Sequence, residues 1–237
     1  MLAGHYATAL VADQHTEKNT LFFFLVASAV PDLLWHAFAL IGLEPTGPAN
    51  ILDMTLQNLD VDMTYSHDLI PTLIWAPVFY GLGLWLFKRH KIALLGALLL
   101  IGHTVTDYMA GYPHHVFGPE TPSIGYAAYK TQPLVGVAWE AAFSAAFLYL
   151  FFRTERRRGV HRSRDNMAAI IGLFAGTVIF LTFGVGTSYG ERFGLPEIDS
   201  DLLGTIPNLM FVYWAMLFYL YYFVPKGVTK PVAADVR

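Results

Sequence analysis

The sequence contains no cysteine and few charged residues for its length. Its 237 residues are 14% charged and 55% hydrophobic, whereas soluble domains average about 25% charged residues. The absence of cysteine excludes disulfides, thiolate zinc sites and cysteine nucleophiles. The basic region that starts a secretory signal peptide is also missing, so we expect the chain to keep its N-terminus.

Long stretches without charge predict a membrane protein. A helix needs about 20 mainly apolar residues to cross a bilayer, and six stretches qualify: 20–43, 66–87, 91–111, 133–152, 167–187 and 204–224. A seventh stretch, 2–12, spans only about half that distance and is interpreted as a short or re-entrant helix. The predicted fold is all-α, a polytopic membrane helical bundle of about six transmembrane helices plus the short N-terminal helix. Residues 1–237 would form a single membrane domain, in which 151–237 add two transmembrane helices and a basic loop.

The basic residues lie almost entirely in loops on one predicted side of the membrane. Thirteen of the 15 belong to this set: Lys18, Lys88, Arg89, Lys91, the six arginines from Arg153 to Arg164, Lys226, Lys230 and Arg237. The opposite loops hold Lys130 and Arg192 among acids: Glu44, Asp53, Asp60, Asp62, Asp68, Glu191, Glu197, Asp199 and Asp201. The positive-inside rule then puts both termini in the cytoplasm, and we expect a prokaryotic inner membrane. The arginine run is interpreted as a helix anchor, so no nucleic-acid partner is predicted.

Three acidic residues remain inside the predicted spans: Asp32, Asp107 and Glu140. No lysine or arginine lies deep in a span to neutralise them. The histidines that share this region are His5, His36 and His103. Ionisable groups inside a membrane mark a functional site by default, and an unpaired carboxylate must be protonated or face a cation. Carboxylates mixed with imidazoles are typical ligands of zinc, manganese or iron.

Helix geometry places these side chains at similar depths. With a rise of about 1.5 Å per residue, all six lie roughly 15–24 Å from the predicted cytoplasmic helix ends. Asp32 and His36 share a helical face, as do His103 and Asp107, since each pair is four residues apart. Pro31 is expected to interrupt the helix just before Asp32. Further candidates lie near the outer ends of the spans: His67, Asp68, His114 and His115. The pattern predicts one site that opens to the non-cytoplasmic side.

Several short motifs resemble those of a known family. The elements Gly4-His5, Pro31-Asp32, Ser66-His67-Asp68 and Gly102-His103-x3-Asp107, ending in Gly111, are similar to the predicted membrane-bound metal-dependent hydrolases. The resemblance covers residues 1–150, and the last two spans match no motif. The order of the motifs is also similar to that of the zinc-dependent phospholipases C and the related single-strand nucleases.

The resemblance implies a set of metal ligands. Asp32, His67, His103 and Asp107 would bind one ion, and Asp107 would bridge to a second ion that is also held by His5. Further ligands would be Glu140 with His114 or His115. The chain differs from the phospholipases in two ways, since Met1 replaces an N-terminal tryptophan ligand and Gly136 occupies the histidine position of a His-x3-Glu pair. One or two ions are therefore expected, with zinc as the first choice.

The resulting functional prediction is hydrolysis of a lipid or other amphipathic phosphoester or ester at the non-cytoplasmic face of the bilayer. Asp32 would orient the attacking water or act as general base. The same residues leave other interpretations open. They would also suit a proton- or cation-coupled transporter, a haem protein with two axial histidines, or plain hydrogen bonds between helices.

Overall fold

The structure is a computed structural model that describes residues 1–16, 19–196, 200–226 and 228–229. Of Asp201 and Thr229 it describes the backbone alone. Several charged residues of the orientation argument lie outside the described residues: Lys18, Glu197, Asp199, Lys230 and Arg237.

Nine α-helices and six two-residue strands form within these ranges. The helices are α1 (Gly4–Asp13), α2 (Leu21–Leu40), α3 (Leu69–Phe87), α4 (His90–Ala110), α5 (Ala128–Thr131), α6 (Pro133–Arg157), α7 (Arg164–Phe183), α8 (Tyr189–Phe193) and α9 (Thr205–Phe223). The strands are β1 (Thr46–Gly47), β2 (Asp60–Val61), β3 (His114–His115), β4 (Ser123–Ile124), β5 (His161–Arg162) and β6 (Val228–Thr229). They pair antiparallel as β1–β2, β3–β4 and β5–β6.

Six of the helices, α2, α3, α4, α6, α7 and α9, are long and apolar enough to cross a membrane. They contain between 19 and 25 residues, and they confirm the predicted all-α bundle. Large apolar side chains such as Leu73, Trp85 and Phe211 point outward and are 62%, 74% and 71% exposed. Such outward apolar surface is what a bilayer accommodates and water does not.

The structure differs from the sequence-based expectation at two points, the start of α3 and the position of Pro31 in α2. The expected helix start at residue 66 is wrong, since α3 begins at Leu69 with Asp68 as its N-cap residue. Pro31 does not interrupt the first long helix, because α2 continues through it from Leu21 to Leu40. Asp32 and His36 therefore project from one unbroken helix.

The short helix α1 is almost completely enclosed. Tyr6, Ala7 and Leu10 are fully buried, and the helix packs against α2 and α6. The predicted short N-terminal helix is thus present, and it lies inside the bundle. Its enclosure brings His5 towards the centre of the protein.

Close packing around Phe23 fixes the arrangement of α2, α3 and α4. The ring of Phe23 stacks on Phe79 of α3, with centroids 5.1 Å apart. On α4, a Cβ atom at Gly96 would lie only 2.7 Å from Cε1 of Phe23. Any larger residue at position 96 would push the two helices apart. The same packing brings the end of α4 close to the middle of α2, where Asp32 lies.

The loops gather at two ends of the bundle in the sets that the charge pattern predicts. At one end, strand β5 of the arginine-rich loop pairs with β6 after α9, and Arg158 donates a hydrogen bond to the carbonyl of Gln14. At the other end, Asn50 and Gly204 form an isolated β-bridge, and Lys130 forms an ion pair with Asp60 at 3.0 Å. The connections before α3, after α4 and before α9 therefore share one end.

Candidate metal centre

Four buried side chains converge near the end of the bundle that holds the acidic loops. Asp32 comes from α2, His67 from the turn before α3, and His103 and Asp107 from α4. Each offers one ligand atom, and these four atoms all lie within 4.8 Å of one another. The Nε2 atoms of His67 and His103 are 3.2 Å apart. This group, called the four-residue centre below, brings together four of the six metal ligands that the sequence predicts.

The carboxylates face the two imidazole nitrogens directly. Oδ1 of Asp32 lies 3.5 Å from Nε2 of His67, and its Oδ2 lies 3.5 Å from Nε2 of His103. Oδ2 of Asp107 lies 3.7 Å from Nε2 of His67 and 3.3 Å from Nε2 of His103. Two nitrogens and two carboxylates thus point at a common space, as they would around a single ion.

Hydrogen bonds at Nδ1 determine which ring nitrogen of His103 can accept a metal. The Nδ1–H of His103 donates to the carbonyl of Ser28 at 2.7 Å. Because a carbonyl can only accept, this bond places a proton on Nδ1, so that the lone pair of the neutral ring is on Nε2. Metal-binding histidines commonly have such a partner at their second nitrogen.

His67 is oriented by a chain of hydrogen bonds that begins at Glu44. Oε1 of Glu44 accepts bonds from the backbone N–H groups of Tyr65 and Ser66 at 2.6 and 2.8 Å. It also accepts the hydroxyl of Ser66 at 3.1 Å. The Ser66 oxygen is then free to accept Nδ1–H of His67 at 2.8 Å, and the lone pair of the neutral ring is again on Nε2.

The role of Glu44 was missed in the sequence, where this residue counts as an outer-loop charge. It is fully buried. Burial raises the pKa of the Glu44 carboxyl, and the hydrogen bonds from Ser66 oppose that rise. No sequence signal pointed to it, since Glu44 precedes Ser66 by 22 positions and both lie in an irregular connection.

The other carboxylate oxygen of Asp107, Oδ1, faces His5 and the amino group of Met1. Its Oδ1 lies 3.2 Å from Nε2 of His5 and contacts the amino group of Met1. That amino group also lies 2.9 Å from Nε2 of His5. Asp107 thus stands between the four-residue centre and His5, where the resemblance expects a bridging carboxylate. The amino group of Met1 is a cationic partner that the sequence argument did not count.

His5 packs tightly against the four-residue centre. Its ring stacks on that of His103, with centroids 3.5 Å apart and an interplanar angle of 17°. Burial is the main cause that lowers the pKa of His5 to about 3. A neutral imidazole can act as a metal ligand, whereas a protonated one cannot.

Glu140, the sixth predicted ligand, lies outside the four-residue centre and caps α1. Its carboxylate accepts the backbone N–H groups of Leu2, Ala3 and Gly4 at 3.0, 3.0 and 2.7 Å, and the hydroxyl of Tyr129 at 3.0 Å. The first N–H groups of a helix lack intrahelical partners and favour a negative charge. We therefore assign Glu140 to the start of α1 and not to the metal centre.

Asp68 is also engaged with backbone groups. Its two oxygens accept the N–H groups of His115 and Gly118 at 2.8 and 2.6 Å. The sequence predicted Asp68 to be a loop residue, but its side chain is buried. Burial raises the pKa of the Asp68 carboxyl, and the two hydrogen bonds oppose that rise. Asp68 therefore holds the 114–118 connection over the centre, while the side chain of His115 stays partly exposed.

The imidazole rings of His114 and His36 are buried. The ring of His114 stacks over His67 with centroids 5.6 Å apart, and burial is the main cause that lowers its pKa to about 3. His36 contacts the rings of Trp35 and Tyr213. Among the described residues, no hydrogen-bond partner meets either ring nitrogen of His114 or His36. Both lie outside the four-residue centre.

The fold and the site together define a helical bundle with the dimensions of a polytopic membrane protein and a buried histidine–aspartate group that could hold a metal ion. Comparison with known proteins found no match among protein-family models, curated proteins or solved structures. The resemblance to metal-dependent hydrolases therefore rests on the sequence motifs alone.

Proposed function

We propose that this chain is an integral membrane, metal-dependent hydrolase that acts on a lipid or another amphipathic phosphoester or ester. The observation that carries the proposal is the four-residue centre, in which Nε2 of His67 and His103 meets the carboxylates of Asp32 and Asp107. Both imidazoles have a partner at Nδ1, so the lone pairs of both Nε2 atoms are directed at the centre.

The donor set fits a divalent ion. Two imidazoles and two carboxylates suit zinc first, with manganese or iron as alternatives. Oδ2 of Asp32 is buried and accepts no hydrogen bond from the described residues. A buried carboxylate oxygen without a donor is costly, and a cation would relieve that cost. One ion would occupy the four-residue centre, and a second ion shared by Asp107 and His5 would displace the amino group of Met1, which contacts both side chains.

The reaction would use the residues at the centre in separate roles. A bound divalent ion would polarise a phosphoryl or acyl oxygen and acidify a water molecule. Asp32 would orient that water and accept its proton through the carboxylate oxygen that does not bind the ion. Asp32 and Asp107 both line a largely apolar pocket, which would admit the scissile group to the centre.

The orientation proposed from the charge pattern places this pocket on the non-cytoplasmic side. The centre lies at the end of the bundle where α4 finishes and α3 begins, next to the acidic connections. The arginine-rich loop lies at the other end, which would face the cytoplasm together with both termini. The enzyme would then belong to a prokaryotic inner membrane, and water would reach the four-residue centre from the non-cytoplasmic side.

Metal analysis of detergent-purified protein tests this proposal. The wild type should contain about one or two equivalents of zinc, while His103→Ala and Asp107→Asn should lose the ion from the four-residue centre. His90→Ala is a matched control, since His90 is exposed on the same helix. A wild type without stoichiometric metal would refute metal-dependent hydrolysis and favour proton- or cation-coupled transport. If the metal-loaded protein cleaves nothing in a panel of lipid extracts, the proposed hydrolysis is refuted, whereas the proposed metal site is not.

A further inference from the structure

A groove between α6 and α7, called the α6–α7 groove below, opens on the side of the bundle. Its lining is apolar apart from two hydroxyl groups, those of Ser144 and Tyr149. Both helices contribute large or small apolar side chains, among them Ala145, Leu148, Phe152, Ile171, Phe174 and Val178. The groove has a volume of about 590 Å³, and it shares no lining residue with the pocket at the four-residue centre.

The α6–α7 groove has the length of one bilayer leaflet. From Ala141 to Phe152 it runs about 16 Å along α6, at a rise of about 1.5 Å per residue. The hydrocarbon core of a bilayer is about 30 Å thick, so each leaflet contributes about 15 Å. Tyr149 and Ile179 in the lining are 63% and 55% exposed. In a membrane the groove would therefore lie open to lipid, and one acyl chain lying along the two helices would cover it.

Three arginines continue the groove-lining faces of both helices at one end. Arg153 and Arg156 each follow a groove-lining residue of α6 by four positions, and Arg164 precedes Ile171 of α7 by about two turns. Residues at these spacings lie on the same side of a helix. The guanidinium carbon of Arg153 lies 5.9 Å from the centroid of the Tyr149 ring. The groove therefore ends at a group of positive charges.

The charges of these three arginines are available to a ligand. All three side chains are exposed, and none forms an ion pair with another described residue. Of the acids in the same segment, Glu155 is held by Arg162 through two hydrogen bonds of 2.6 Å, and Asp165 lies about 100° around α7 from Arg164. A guanidinium stays protonated in proteins and can bind two phosphate oxygens at once. This end of the groove thus suits a phosphate group.

We propose that the α6–α7 groove binds one anionic phospholipid, with an acyl chain along the groove and the phosphate at Arg153, Arg156 and Arg164. A basic cluster beside an apolar groove between membrane helices is complementary to such a lipid in both charge and polarity. A second copy of this chain fits less well, because it would bring two basic segments together. The site is separate from the four-residue centre and does not depend on the proposed hydrolysis.

Native mass spectrometry of the detergent-purified protein tests the proposal by counting the lipids bound to each copy. The probes are phosphatidylglycerol and phosphatidylcholine with the same acyl chains. We expect one phosphatidylglycerol per copy, with a preference of about tenfold or more over phosphatidylcholine. Arg153→Gln, Arg156→Gln and Arg164→Gln should each weaken its binding by about fivefold. Arg89→Gln is the matched control, since Arg89 is exposed in the turn between α3 and α4, and it should leave binding unchanged.

A variant that fills the groove completes the test. Ala145→Trp should abolish lipid retention, whereas Ala146→Trp should not, because Ala146 is exposed on α6 but does not line the groove. Ala145 is itself exposed, so the larger side chain should not disturb the fold, and the arginine variants decide the matter if it does.

Equal binding of phosphatidylcholine and phosphatidylglycerol would overturn the inference, as would full lipid retention by Ala145→Trp. Dimers that carry no lipid and that Ala145→Trp dissociates would also overturn it, and would make this face an interface between two copies of the chain.

Discussion

Replacement of Ser66 by alanine should weaken metal binding although Ser66 is not a predicted ligand. Its hydroxyl links Glu44 to Nδ1 of His67, with bonds of 3.1 and 2.8 Å. His67 is fully buried, so water cannot readily replace the lost partner. Without the hydroxyl, His67 either keeps an unpaired Nδ1–H or moves the proton to Nε2, where it would occupy the lone pair that binds metal.

The size of the effect follows from these two possibilities. An unsatisfied buried donor costs about 1–3 kcal/mol. In the metal-free protein the ring can change its protonated nitrogen, so the cost appears in the binding step. We therefore expect the dissociation constant for zinc to rise by about 10- to 100-fold in Ser66→Ala, in line with other partners of metal-binding histidines. Glu44→Gln should have a smaller effect in the same direction, because its amide oxygen can still accept the hydroxyl.

Competition for zinc with a chromogenic chelator, on detergent-purified protein, measures this change. Ser144→Ala is the matched control, since Ser144 is buried in α6 and its hydroxyl has no hydrogen-bond partner among the described residues. The reasoning is refuted if Ser66→Ala binds zinc within about twofold of the wild type while His103→Ala abolishes binding.

Two further predictions concern residues next to the centre. Glu140→Gln should lower the free energy of unfolding, measured by thermal unfolding, by about 2 kcal/mol, because a charged acceptor of several N–H groups becomes neutral. Metal analysis of the same variant should show a near-normal metal content. Metal loss without a stability change would instead make Glu140 a ligand. His114 has a pKa of about 3 in the fold against an ordinary value of 6.5, so the unfolded state takes up the proton first as the pH falls. The contribution of His114 to the stability of the metal-free protein should therefore decrease below about pH 6.5, by about 2 kcal/mol at pH 5. His5, whose pKa is also lowered to about 3, adds to the loss. Thermal unfolding of His114→Gln should show less of this pH dependence.

The sequence alone was sufficient for the helical bundle and for most of the candidate centre. Long apolar runs are local features, so the six long helices could be predicted from them. Asp32, His103 and Asp107 stood out because ionisable residues are rare in such runs. His67 was recognised through its Ser-His-Asp motif, and the structure places it against His103. These predictions depended on residue type, spacing and depth along single helices.

The tertiary structure alone decided how the supporting residues are used. Glu44 and Ser66 lie in an irregular connection, where no periodicity indicates which side chains turn inward. Glu140 looked like a ligand because its depth matched, but depth along one helix does not show which neighbour faces the carboxylate. Three of its partners are backbone N–H groups at the start of α1, from 136 to 138 positions away. Hydrogen bonds between distant segments depend on how the helices and loops pack together, and that packing is not encoded in any local pattern of residues.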